Sequence, residues 1–108
     1  MKLVRALPIL CFISFVSPEA KGDVVLDAPG LLDACTRADM HWVDFCNGYF
    51  QAVSDVTATA GLACIPAGTS RTRLVELFER HAASLPDFAE TSGFTLAARI
   101  IAEAYPCQ

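Results

Sequence analysis

The chain has 108 residues, 54% of them hydrophobic and 19% charged, with a formal net charge of −4. That apolar fraction, with no low-complexity tract, excludes a disordered chain, and the length suits one domain. The acidic balance excludes ordinary nucleic-acid binding, which needs a basic stripe to neutralise phosphates.

The first segment reads as an export signal. Lys2 and Arg5 precede an uncharged, mostly apolar run of 11 residues from Ala6 to Val16. Such a run is too short for a bilayer core, which takes about 20 helical residues, but it matches a signal-peptide core. Ala20 and Gly22 put small residues at positions −3 and −1 of a cut before Asp23, and a cut after Ala20 is the alternative. Cys11 lies inside the apolar run without a small residue before it, so it does not read as a lipidation site. The expected layout is a signal over residues 1–22, removed on export, and one domain over 23–108. That domain keeps eleven acids, five arginines and no lysine, a net charge of −6. It also keeps Cys35, Cys46, Cys64 and Cys107, an even number in an exported chain and hence two disulfides. A domain this small buries only about 60–65% of its unfolded surface, so covalent staples matter.

Residues 23–29 read as a loosely held lead-in. Leu31, Leu32 and Cys35 suit a short helix after Pro29-Gly30. From Asp39 to Ala60, Trp42, Phe45, Cys46, Tyr49, Val53, Val56 and Ala60 recur at spacings of three and four. They predict one long amphipathic helix with Asp39 as N-cap and Gly61 as its stop. Gly48 costs that helix about 1 kcal/mol relative to Ala, which close approach of a neighbouring helix would offset. Cys64 to Gly68 is a turn by composition. Thr69 or Ser70 caps a third helix from Arg71 to Ala83, with Leu74, Leu77, Phe78 and His81 on one side and His81 half-buried. Leu85-Pro86 breaks it. Asp87-x-x-Glu90 resembles the capping arrangement of a fourth helix that ends at Pro106. The fold class is all-α: a small disulfide-stapled bundle of three main helices plus a short first helix. Trp42, Tyr49, Leu77, Phe78, Phe94 and Ile101 are expected at the helix contacts.

Helix geometry restricts the cysteine pairing. Cys46 lies 14 residues before Ala60, roughly 21 Å along the helix, beyond the ~7 Å that a disulfide to Cys64 allows. Short loops make the last three helices antiparallel neighbours, which brings Cys64 and Cys107 to one end and leaves Cys35 and Cys46 near the other. The expected pairs are Cys35–Cys46 and Cys64–Cys107.

Little in the chain suggests chemistry of its own. His41 and Cys46 are five apart on one helix and point in different directions, so they do not form a thiolate–base pair. The domain's cysteines are separated by 10, 17 and 42 residues, with no C-x-x-C or H-x-x-x-H, so neither a metal site nor a redox motif is expected. The acid pairs Asp39 with Asp44 and Glu76 with Glu79 read as solvated helix faces. No catalytic residue, cofactor or metal is expected, and the chain is not read as an enzyme. Arg71, Arg73 and Arg80 stand out against the acidic background. They suit either a salt-bridged surface around Glu76 or a partner-docking face, since arginine is enriched at interface hot spots.

Cys46-Asn47-Gly48-Tyr49, then Cys64-Ile65-Pro66, a helix ending near His81, and Tyr105-Pro106-Cys107 together resemble the Rap/Tai-type immunity family over residues 31–107. Ala52 stands where a second glycine often follows the C-x-G-Y motif, and Leu85-Pro86 stands where His-Pro is frequent. The resemblance implies a periplasmic helical protein, often a homodimer, that neutralises a type VI-secreted peptidoglycan amidase by blocking its papain-like cleft. No membrane contact is expected after signal cleavage. An HdeA-type periplasmic stress chaperone, or an orphan envelope-binding module of the same fold, is the competing class. Four domain cysteines rather than one bridging pair count against the chaperone. For an inhibitor, the Leu85-Pro86-Asp87 turn is the expected protrusion. Arg73, Glu76 and Arg80 form the docking face beside it, and Asp87 is available to donors around the partner's catalytic thiol.

Overall fold

Side-chain caps set where each helix begins. The computed structural model describes residues 25–108. It contains α1 (Ala28–Cys35), α2 (Met40–Thr59), α3 (Arg71–His81) and α4 (Gly93–Ala104), with 3-10 turns at Ala82–Ser84 and Phe88–Glu90. The expected signal, its cleavage point and Cys11 lie outside the described residues. Asp27, Asp39, Ser70 and Ser92 accept bonds from the backbone N–H of Gly30, Trp42, Arg73 and Thr95 at 2.8–3.3 Å. Each such cap stabilises its helix by about 1 kcal/mol relative to alanine. At the far end of α2, Gly61 adopts φ +74°. The N–H of Leu62 reaches back to the carbonyl of Thr57 at 2.8 Å, and that of Gly61 to Ala58 at 3.1 Å. This is a Schellman closure, and the positive φ is why glycine ends the helix.

The four helices enclose one core. Leu31, Phe50, Val53, Phe78, Leu96 and Ile101 are its large, fully buried side chains. Phe50 and Phe78 meet at its centre with ring centroids 5.4 Å apart. Cys35–Cys46 ties α1 to α2 with a Cα separation of 5.4 Å. Cys64–Cys107 ties the loop after α2 to the chain end with a separation of 5.0 Å. Both pairs are those expected. A backbone bond from Cys64 N to the Tyr105 carbonyl, 2.8 Å, runs beside the second one. Among the described residues no helix is long and apolar enough to cross a membrane.

The buried line of α2 departs from the expected stripe. It is Cys46, Phe50, Val53 and Thr57, rotated by roughly 60° at about 100° per residue. Phe45, Val56 and Ala60 are exposed instead, and Trp42 and Tyr49 are only half-buried. Thr57 is the physical reason for the difference. Its hydroxyl donates to the carbonyls of Val53 at 2.9 Å and Ser54 at 3.1 Å, so a polar residue sits satisfied at a core position. Gly48 is exposed with open space where a Cβ would point, so no helix approaches it to offset its cost. Leu77, Phe78 and Ile101 are buried as expected, whereas Phe94 is exposed. His81 is exposed too, because α3 ends on it and the chain turns away into the Ala82–Ser84 turn.

The segment before α1 meets the chain at the start of α4. Ala28 N donates to the Thr91 carbonyl at 2.9 Å, and Gly93 N donates to the Leu26 carbonyl at 2.8 Å. Leu26 and Ala28 of the lead-in are therefore held, and α1 begins at Ala28 rather than after Gly30. The same pairing corrects the expected cap at Asp87. A helix running on from Asp87 would draw the Thr91 carbonyl into its own ladder and strand the Ala28 N–H. Phe88–Glu90 instead forms a separate turn and Ser92 caps α4. Glycine at 93 suits this close approach, since a Cβ there would stand 3.0 Å from Leu31 Cβ and 3.2 Å from the Leu26 carbonyl oxygen, tighter than ordinary contact.

Candidate partner-binding surface

α3 buries Leu74, Val75, Leu77 and Phe78. Helical spacing then leaves Arg73, Glu76 and Arg80 exposed together on its outer side. Arg73 and Arg80 are two turns apart, about 10 Å along the axis. The ion pairs among the described residues are Arg37 with Asp33 and Arg99 with Asp87. Arg71, Arg73 and Arg80 form none, so the salt-bridged surface is not what the structure contains. Glu76 acts on Glu79 instead. Partial burial, and secondarily the Glu76 charge, push the Glu79 carboxyl above its usual range. The outer face of α3 therefore presents Arg73 and Arg80, neither in an ion pair among the described residues, with the exposed Glu76 between them.

The segment after α3 adjoins that face. Leu85 N donates to the Ala82 carbonyl, and Phe88 N to the Leu85 carbonyl, both at 3.1 Å. Leu85 is half-buried and Pro86 is exposed. Asp87 is engaged within the chain. Arg99 on α4 grips it with two bonds, Nη1 to Oδ1 at 3.1 Å and Nη2 to Oδ2 at 2.9 Å. The hydrogen bonds from Arg99 are the main reason its carboxyl falls to about 2. The expected acceptor is thus already paired within the chain, although 45% of its side chain stays exposed. Behind the turn, Leu77, His81, Ser84, Leu85, Ile100 and Glu103 line an open hollow of about 280 Å³. Sequence reasoning missed Arg99. Its partner is twelve residues away and is reached only through the fold, so no local spacing signals the pair.

A second exposed region lies on α2. Trp42, Phe45 and Tyr49 form an aromatic run with centroids 5.5 and 5.8 Å apart. Arg37 lies 5.1 Å over the Trp42 ring. These aromatics border a groove of about 620 Å³ beside Val25 and Leu26. His41 and Asp44 are exposed on the same helix, and Asp39 serves as its cap. Cys46 is bound to Cys35, so His41 has no thiolate to activate. Among the described residues, no three His, Cys, Asp or Glu side chains converge as a metal site.

A family model for Rap1a immunity proteins matches residues 27–107, from the cap of α1 to the last cysteine. No curated protein and no solved structure matches the chain.

Proposed function

The chain belongs to the Rap1a immunity protein family, and on that premise we propose that it is exported to the periplasm, where it binds and inhibits a type VI-secreted peptidoglycan amidase. Membership implies an effector protein as partner and a role in binding rather than catalysis. The observation that carries the finer reading is the outer face of α3, where Arg73 and Arg80 stand exposed and outside any ion pair among the described residues, in the helix that leads into the Leu85-Pro86 turn. Two disulfides fix the scaffold beneath, which lowers the ordering cost of binding.

In this reading α3 docks on the amidase and Leu85-Pro86 enters its cleft, excluding the cell-wall peptide from the catalytic thiol. Arg73 and Arg80 meet acidic or carbonyl acceptors at the cleft rim, Glu76 meets a donor between them, and Asp87 shapes the turn from within. The homodimer implied by the family resemblance has a candidate seat on α2. There the exposed Phe45, Gly48, Ala52 and Val56 lie along one face, with small residues at its centre.

The test is titration calorimetry with the amidase encoded beside the chain's gene. Changing Arg73 and Arg80 together to Ala should weaken binding by about 2 kcal/mol or more, with circular dichroism unchanged, as for interface hot spots. Unchanged affinity moves the docking face elsewhere, to the acidic surface around Asp39 and Asp44.

A further inference from the structure

We infer that Arg99 is a positioning residue for partner binding: by clamping Asp87 it holds the Leu85-Pro86 turn in the shape that docks. This rests on the reading above, that the turn enters the partner's cleft. Between His81 and Ser92 the chain has only single 3-10 turns. Pro86 has no N–H to donate, and the Asp87 side chain caps neither neighbouring turn. What anchors residue 87 from outside the segment is the two-bond grip of Arg99, which lies one turn and a half into α4. The Thr91 hydroxyl closes the arrangement by donating to the Asp87 carbonyl at 2.6 Å. Leu85 and Phe88 pack against the core and Ala28 N holds the Thr91 carbonyl, while the Asp87 carboxylate between them is oriented from outside the segment by Arg99.

The exposure of the pair separates positioning from stability. Arg99 and Asp87 side chains retain 36% and 45% of their accessible surface. An ion pair that open to solvent contributes little to global folding. A planar guanidinium holding both carboxylate oxygens nevertheless fixes orientation, which a lysine ammonium cannot reproduce. Loss of the clamp should leave the fold intact and let the turn sample other shapes. If the docking shape then falls to about a tenth of the population, apparent affinity falls about tenfold. That loss appears in the association rate, because the bound complex itself is unchanged.

The experiment is surface plasmon resonance of the full exported chain against a catalytically inactive form of the neighbouring amidase, its nucleophilic cysteine changed to alanine. Arg99→Ala and Arg99→Lys should each slow association, by about tenfold for alanine, with little change in dissociation rate or melting temperature. Asp87→Asn should produce the same effect, and the double variant should add nothing further. Unchanged association in all three variants, or full activity of Arg99→Lys, overturns the inference. A faster dissociation with normal association also overturns it, since Arg99 would then touch the partner directly. Pro86→Arg separates the two levels of the argument. If it abolishes binding while Arg99→Ala does not, the docking turn stands and the clamp fails. If Pro86→Arg binds normally, the docking reading itself fails and takes the clamp with it.

Discussion

Replacing Phe50 by alanine tests how α2 is oriented and where the core lies. Phe50 is fully buried and packs on Phe78, itself fully buried, at 5.4 Å between centroids and 57° between planes. Truncating a buried phenylalanine costs about 3–5 kcal/mol through lost transfer energy and the cavity left behind. A domain of 84 described residues has a total stability of about 4–13 kcal/mol at typical values per residue. The loss is therefore a large fraction of the whole, and should lower the melting temperature by about 15–30 °C. Phe45 is the control, because sequence periodicity assigns it to the same helix's buried stripe. It retains 39% exposure and touches Trp42 and Tyr49 at the surface, so Phe45→Ala should cost about 1 kcal/mol or less. Urea denaturation followed by circular dichroism measures both. A Phe45→Ala loss larger than that of Phe50→Ala would refute the placement of the core.

Other outcomes follow from the staples and the clamp. By chain-entropy arithmetic, the Cys35–Cys46 and Cys64–Cys107 loops of 11 and 43 residues contribute about 3 and 4 kcal/mol. Denaturation of paired Cys→Ala variants should rank the second as the costlier loss, and thiol titration of the exported protein should find no free cysteine. The depressed Asp87 carboxyl means that its pairing adds only a small, solvent-screened increment of stability above the unfolded value near 3.8, lost as pH falls through about 2. Carbon NMR of the Asp87 carboxyl should therefore titrate near 2. A midpoint near 4 would mean that the Arg99 grip is absent in solution.

The helices were legible because caps and stops are local chemistry. Asp39 and Gly61 bracket α2 as its sequence implies, and Ser70 starts α3. The disulfides were legible because helix length kept Cys46 from Cys64 and antiparallel packing through short loops brought Cys64 and Cys107 to one end. Other features depended on groups far apart in sequence. Phe50 sits next to Tyr49 and either ring could have faced inward, until a satisfied Thr57 about two turns further on fixes the side. The start of α4 depended on Leu26 and Ala28, some 65 residues upstream, which capture Thr91 and Gly93 and displace the local Asp87–Glu90 signal. The site divides in the same way. The outward placement of Arg73, Glu76 and Arg80 follows from helical period, but their lack of ion pairs and the Arg99 clamp required the folded chain.

The most direct test of the proposed role is inhibition of the neighbouring amidase on purified peptidoglycan. Immunity predicts that one equivalent of the oxidised, exported chain abolishes release of cell-wall peptides, and that Pro86→Arg restores it. Amidase activity that persists at a large excess of correctly folded protein would contradict the account.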